Sequence, residues 1–277
     1  MGSHLLRSFA DRGHRVVAFG RDRLGVPPAF EFRSYDLDRG LPAAALTAVD
    51  VLIHGAFIPA VRTEKDAAER NIRATRDLSD AARMAGAKFV FLSTLSARPE
   101  AKSRYGIHKY ASELMLADSG ALIIRPGLVV GDGGLIRSLF RSLRSGIVPL
   151  IDAGTQSVQV VGTEDLAMAI GTAIAGELRG RHNVCATEAV SIAEMARSLG
   201  ERFHLRPRYI TVPWAPAYAV ARLAERLGIT LPLTTESLLG LRTAQYESPS
   251  AAFLKLNWNI RAWPELIPSL SFALGST

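Results

Sequence analysis

Cysteine is almost absent: Cys185 is the single thiol in 277 residues. No intrachain disulfide can form and a thiolate metal site does not fit, so the expected setting is reducing and cytoplasmic. Lysine is also scarce, since arginine supplies 28 of the 33 basic residues behind a formal net charge of +7. These charges are scattered, with no dense basic block and no basic–aromatic stripe, which argues against a nucleic-acid partner. No stretch reaches the roughly 18 apolar residues of a membrane span. The opening Met1-Gly-Ser-His-Leu-Leu-Arg-Ser lacks the order of a signal peptide. Internal repeats and low-complexity segments are missing too. What remains is a chain 48% hydrophobic and 21% charged, which can bury a sizeable core.

Short apolar runs alternate with longer helical patterns over the first half. Strands are predicted at 14–19, 30–35, 50–54, 88–93 and 121–125, and helices at 5–10, 41–48, 63–85 and 103–118. Strands alternating with helices imply parallel pairing through right-handed crossovers. The 64–85 stretch holds neither Gly nor Pro and is rich in Ala, Arg and Glu, and Gly86 follows as a C-cap. Beyond Pro126-Gly127 the pattern changes. Gly131-Asp-Gly-Gly134 reads as a loop, 135–145 as an amphipathic helix, 158–161 as a strand, and Thr163 or Glu164 as a helix start. The expected fold is α/β, with residues 1–130 as one part and 131–277 mainly as a substrate-side lobe whose strands and helices return to the core.

Tyr105-Gly-Ile-His-Lys109 carries the chemistry. The spacing of Tyr105 and Lys109 puts a phenol and an ammonium on one helical face. A free tyrosine has a pKa of about 10, and a fixed positive charge nearby favours its phenolate. A phenol so tuned exchanges a proton with a substrate hydroxyl. The preceding strand ends in Ser93-Thr94, and a short loop leads straight into the helix, so hydroxyl, phenol and ammonium converge at one sheet edge. His54 reads as a strand-end histidine bonded locally, and His108 as a surface residue.

This arrangement resembles the extended short-chain dehydrogenase/reductase superfamily, specifically the NAD-dependent epimerase/dehydratase group. Gly2-Ser-His-Leu-Leu is similar to the end of that family's glycine-rich turn. Val51-Leu-Ile-His-Gly-Ala56 resembles its fourth strand and following loop, and Asp36-Leu37 the pair near the adenine. Asn71 matches a helix asparagine near the active site. Arg125-Pro-Gly-Leu-Val-Val-Gly131, Val160-Val-Gly-Thr-Glu-Asp-Leu-Ala167 and Leu254-Lys-Leu-Asn-Trp258 resemble three later family segments. The resemblance implies a Rossmann-like doubly wound parallel sheet. It also implies Tyr105 as acid/base, Lys109 as the group that lowers its pKa and holds the nicotinamide ribose, and Thr94 as a partner of the reacting hydroxyl. Gly2, Arg21, Asp36, Leu37, Gly55, Ala56, Asn71, Ser93, Lys109 and Pro126 would contact NAD or NADP. A small-molecule substrate and a homodimer through the helices at 63–85 and 103–118 are further implications.

Three departures qualify the resemblance. The chain opens inside the glycine-rich turn, so the first strand and most of that turn are expected to be missing. A start placed inside the natural turn, a tag remnant and a true truncation all fit that opening. Gly20-Arg21-Asp22-Arg23 stands where NAD-preferring relatives carry an acid; Arg21 suits a 2′-phosphate and Asp22 a free ribose. The interval from Thr94 to Tyr105 is short and resembles the atypical branch. The reaction expected is that of an NAD(P)-dependent oxidoreductase or epimerase/dehydratase acting on a nucleotide sugar or similar polar metabolite. The alternative is a non-catalytic scaffold or assembly protein of the same fold.

Overall fold

From Lys88 to Leu92 only the first residue is exposed; Phe89 and Phe91 join one core cluster, and Val90 and Leu92 another. A run that is apolar on both faces belongs to a parallel strand covered by helices on both sides. The computed structural model, which describes residues 1–58, 64–229, 231, 233–255 and 260–272, bears this out. In chain order the first half forms α1 (Gly2–Ala10), β1 (Val17–Gly20), β2 (Glu31–Ser34), β3 (Val51–His54), α2 (Glu64–Met84), β4 (Lys88–Leu92), α3 (Arg104–Met115) and β5 (Leu122–Pro126). The second half continues with β6 (Leu128–Val130), α4 (Gly134–Arg144), β7 (Ile147–Ile151), β8 (Ser157–Gly162), α5 (Thr163–Ala175), β9 (Gly180–Val184), β10 (Ala189–Ser191), α6 (Ile192–Arg202), β11 (Arg208–Val212), α7 (Trp214–Arg226) and α8 (Thr235–Arg242).

The fold is Rossmann-like α/β. Strands β3, β4, β5 and β9 form a parallel sheet in that order. One face carries Leu5 and Phe9 of α1 and Leu166 and Ile170 of α5; the other carries Leu78 and Ala82 of α2. Each such fully buried large apolar side chain contributes about 1.5–3 kcal/mol relative to exposure. Among the described residues β1 and β2 pair only with each other, also in parallel. Phe19 of β1 nonetheless packs on the cluster that holds Leu52 of β3. Beyond β5, the chain builds a β10-β8-β6 sheet and a β11-β7 pair, while β9 returns to the main sheet. Buried Gln159 ties this region down: its Nε2 donates to the carbonyls of Ala186 and Glu247, each at 2.9 Å, and its Oε1 accepts from the Glu247 amide at 2.7 Å.

Most expected elements are present with shifted ends. The helix expected at 41–48 is a single 3₁₀ turn, Ala43–Leu46. Pro42 enters it in an extended conformation and Ala48 leaves with φ 60°, so the backbone turns away before a second helical turn can form. The first strand begins at Val17 rather than His14. Strand β6 is not among the expected elements; three residues are too few to display an alternation. The Leu254–Trp258 motif lies largely outside the described residues.

Candidate active site

The carboxyl ends of β3, β4 and β5 lead into the candidate site. Pairing continues past the end of β4: the Ser93 amide donates to Ile124 O at 2.7 Å and the Leu95 amide to Pro126 O at 3.1 Å. This holds Ser93-Thr94 against the end of β5. The loop then returns to α3, which starts where Ser103 accepts from the Gly106 amide at 3.2 Å as an N-cap. A Cβ on Gly106 would stand 2.5 Å from the Ser96 carbonyl oxygen. Glycine inside the Tyr-x-x-x-Lys stretch therefore lets the loop carrying Thr94 lie directly on the first turn of α3. The Thr94 hydroxyl accepts from the Ser96 amide at 3.2 Å, which shapes that loop.

Tyr105 and Lys109 share a face of α3, with the Lys109 Nζ 6.0 Å from the centre of the Tyr105 ring. Phe57, from the loop after β3, meets Tyr105 edge-on at 4.8 Å between centroids. The Lys109 ammonium donates to the Leu92 carbonyl at 2.6 Å and sits 4.4 Å from the centre of the Phe91 ring. Burial pushes the Lys109 ammonium down to about 8, against a smaller opposing pull from Glu113. Tyr105 keeps 37% of its surface exposed, yet burial raises its phenol above the ordinary value. In this arrangement desolvation is the cause acting on the Tyr105 phenol, and the Lys109 ammonium is bonded to a carbonyl.

Several expected contacts face inward. The Ser93 hydroxyl donates to Glu113, which also takes the Arg125 guanidinium in a buried pair; the Arg125 Nε lies 2.8 Å from Glu113 Oε1. Asn71 accepts from the Ile58 amide at 2.9 Å and donates to the Ile58 carbonyl at 3.0 Å, clamping the loop after β3. It acts through that loop rather than as a surface polar group. His54 is buried, its Nε2 3.2 Å from the Thr75 hydroxyl, and burial drives its pKa down to about 3. His108 is buried, not at the surface as expected, because its side of α3 packs towards Phe57 at 6.1 Å between rings. Sequence reasoning missed Phe57, Glu113 and Glu236, whose carboxylate accepts from the Tyr105 amide at 3.3 Å. The Lys109-to-Glu113 spacing of one helical turn was the available signal for Glu113.

The positions expected to meet a cofactor are distributed around this edge. Gly2 is the first residue of α1, and a Cβ there would meet nothing within 4 Å. Arg21 is exposed just after β1, and Gly55 and Ala56 are exposed just after β3. Asp36 follows β2 and caps its own turn, accepting from the Asp38 amide at 3.0 Å, while Leu37 packs on the core and Pro126 ends β5 buried. The set offers an open helix start, exposed backbone beyond β3 and a cation beyond β1.

The family model described as NAD dependent epimerase/dehydratase family matches residues 1–185. The chain belongs to that family. A curated relative, ceramide reductase of Caulobacter vibrioides, is 33% identical over 177 residues, which is 60% of this chain and 55% of the relative. The match thus spans about half the relative's length. Among solved structures, gox2253 superposes with a TM-score of 0.74 at 22% identity, covering 96% of this chain and 92% of that one. UDP-glucose 4-epimerase of Thermus thermophilus, complexed with NAD, gives 0.64 at 21% identity, covering 88% and 96%. At these identities the structural matches show a common fold. Among the described residues no helix is long and apolar enough to cross a membrane, and no group of three His, Cys, Asp or Glu side chains is placed to hold a metal ion.

Proposed function

We propose that this chain is an NAD(P)-dependent oxidoreductase, or an epimerase/dehydratase-like enzyme, acting on a hydroxyl or carbonyl carbon. The observation that carries the reading is the close seating of the Thr94 loop on the first turn of α3, permitted by Gly106 beside Tyr105. Nicotinamide supplies hydride exchange when bound. Tyr105 moves the proton of the reacting hydroxyl, and Thr94 orients that hydroxyl. Lys109 holds positive charge beneath the site, and Asn71 fixes the Gly55–Ile58 loop that borders it. Ser93, Glu113 and Arg125 keep α3 in register with β4 and β5. Arg21 makes NADP the favoured cofactor, Gly2, Asp36, Gly55 and Ala56 being its further contacts.

The substrate class named from sequence is a nucleotide sugar. The ceramide reductase match supports a lipid carbonyl instead. A non-catalytic role in assembly is the second reading, favoured by the bond that turns Lys109 to Leu92 O. Thermal unfolding with each cofactor tests the enzyme reading. Ligand at 100 times its dissociation constant stabilises by about 2.7 kcal/mol. A chain indifferent to both NAD(H) and NADP(H) is no dehydrogenase. In a chain that binds, Tyr105→Phe should lower turnover by about 10²–10⁴-fold while leaving the thermal shift intact.

A further inference from the structure

Helix α7 is apolar on two opposite sides. Ala221 and Ala224 are buried, and Ala217 and Tyr218 half-buried, so one side packs on the body of the protein. Val220, Leu223 and Leu227, spaced by three and four residues, fall together on the other side. They are 59%, 57% and 65% exposed, and Ile229 just beyond the helix is 54% exposed. A surface helix ordinarily turns charged and polar side chains that way, and a helix apolar all round is ordinarily buried. The flank of the outward stripe carries two exposed cations, Arg222 and Arg226, one turn apart. The single acid of the helix, Glu225, is turned to the next helix and accepts from the Thr235 amide at 2.8 Å. Glu236 of that next helix is taken up by the Tyr105 amide and Arg104. The outward face of α7 is therefore apolar and cationic. A second copy docked through the same face about a two-fold axis would set these arginines near their own copies, with no acid of α7 to pair them. A bilayer with anionic headgroups satisfies both features, since aliphatic side chains enter the acyl boundary and guanidiniums meet the phosphates.

We infer that α7 docks the protein on an anionic lipid surface. Val220, Leu223, Leu227 and Ile229 enter the boundary between headgroups and acyl chains, while Arg222 and Arg226 pair with headgroup phosphates. Docking is peripheral, by one face of one helix, and it does not depend on the oxidoreductase reading.

The test is cosedimentation of the full chain with phosphatidylcholine vesicles containing about one-third phosphatidylglycerol. Wild type should pellet with them, bind vesicles of phosphatidylcholine alone more weakly, and lose affinity as salt is raised. Leu223→Glu combined with Leu227→Glu should weaken binding by about tenfold or more. Arg222→Gln and Arg226→Gln should each weaken it about fivefold. Met84→Glu, at an exposed apolar position ending α2, should leave binding unchanged. All these positions are exposed, so each variant should keep the wild-type circular dichroism. Wild type remaining in the supernatant with the anionic vesicles overturns the inference. A wild-type dimer that the double leucine variant turns monomeric in analytical ultracentrifugation also overturns it, because a second copy would then cover the face. Equal loss of binding in Met84→Glu would do the same, since the stripe on α7 would not be what the lipid meets.

Discussion

The Lys109 ammonium donates to the Leu92 carbonyl at 2.6 Å, from the helix to the last residue of the strand beneath it. The bond anchors α3 to β4 but keeps the charge buried, and burial drives its pKa down from 10.5 to about 8. The folded state then binds fewer protons than the unfolded state between these values, so stability rises with pH across that window. The penalty is fully present below pH 8 and relieved towards pH 10.5, a total of about 3 kcal/mol. Chemical denaturation should show wild type gaining that much on Lys109→Met from pH 8 to 10.5. Parallel pH profiles would show that the lysine is not desolvated.

His54 gives an acid counterpart. Its folded pKa of about 3 lies below the ordinary 6.5 because the ring is buried between Thr75, Phe89 and Phe91. Stability is therefore intact above pH 6.5 and falls as the pH drops towards 3, by about 2 kcal/mol already at pH 5. His54→Asn should start from a lower stability and flatten that slope, as measured by urea midpoints between pH 7 and 5. A slope equal to wild type would place the acid sensitivity elsewhere.

Gly106 tests the seating of the loop. The 2.5 Å approach that a Cβ would make is to a backbone oxygen, which cannot rotate away. Gly106→Ala should cost about 1–3 kcal/mol of overpacking. It should also broaden or move the amide resonances of 94–97 more than those of α5. An alanine variant as stable as wild type would show that the loop is not held against the helix.

The buried pair of Arg125 and Glu113 tests the floor of the site. Arg125→Met leaves Glu113 buried with Ser93 as its remaining partner and should destabilise by about 3–5 kcal/mol. Adding Glu113→Gln removes the stranded charge and should recover part of that loss. A double variant as unstable as the sum of the singles would show no coupling.

The strand at Lys88–Leu92 and the helix at Arg104–Met115 were legible because their signals are local. A doubly buried strand reads as a continuous apolar run, and a Tyr-x-x-x-Lys spacing fits one helical face. The 3₁₀ turn at Ala43–Leu46 was not legible as such. Its alanines favour helix, and only the backbone at Pro42 and Ala48 shows why the helix stops. Phe57 left no pattern to read, since it lies in a loop whose path is fixed by Asn71 from the following helix.

Periodicity by itself determined the alternation of strands and helices and the shared face of Tyr105 and Lys109, because helical and strand repeats are properties of the chain alone. Tertiary structure decided what each polar group meets: Leu92 O for Lys109, Glu113 for Ser93 and Arg125, and Phe57 for Tyr105. Those partners come from other elements, brought together by sheet pairing and helix packing. The resulting desolvation, rather than residue spacing, sets the protonation of the site.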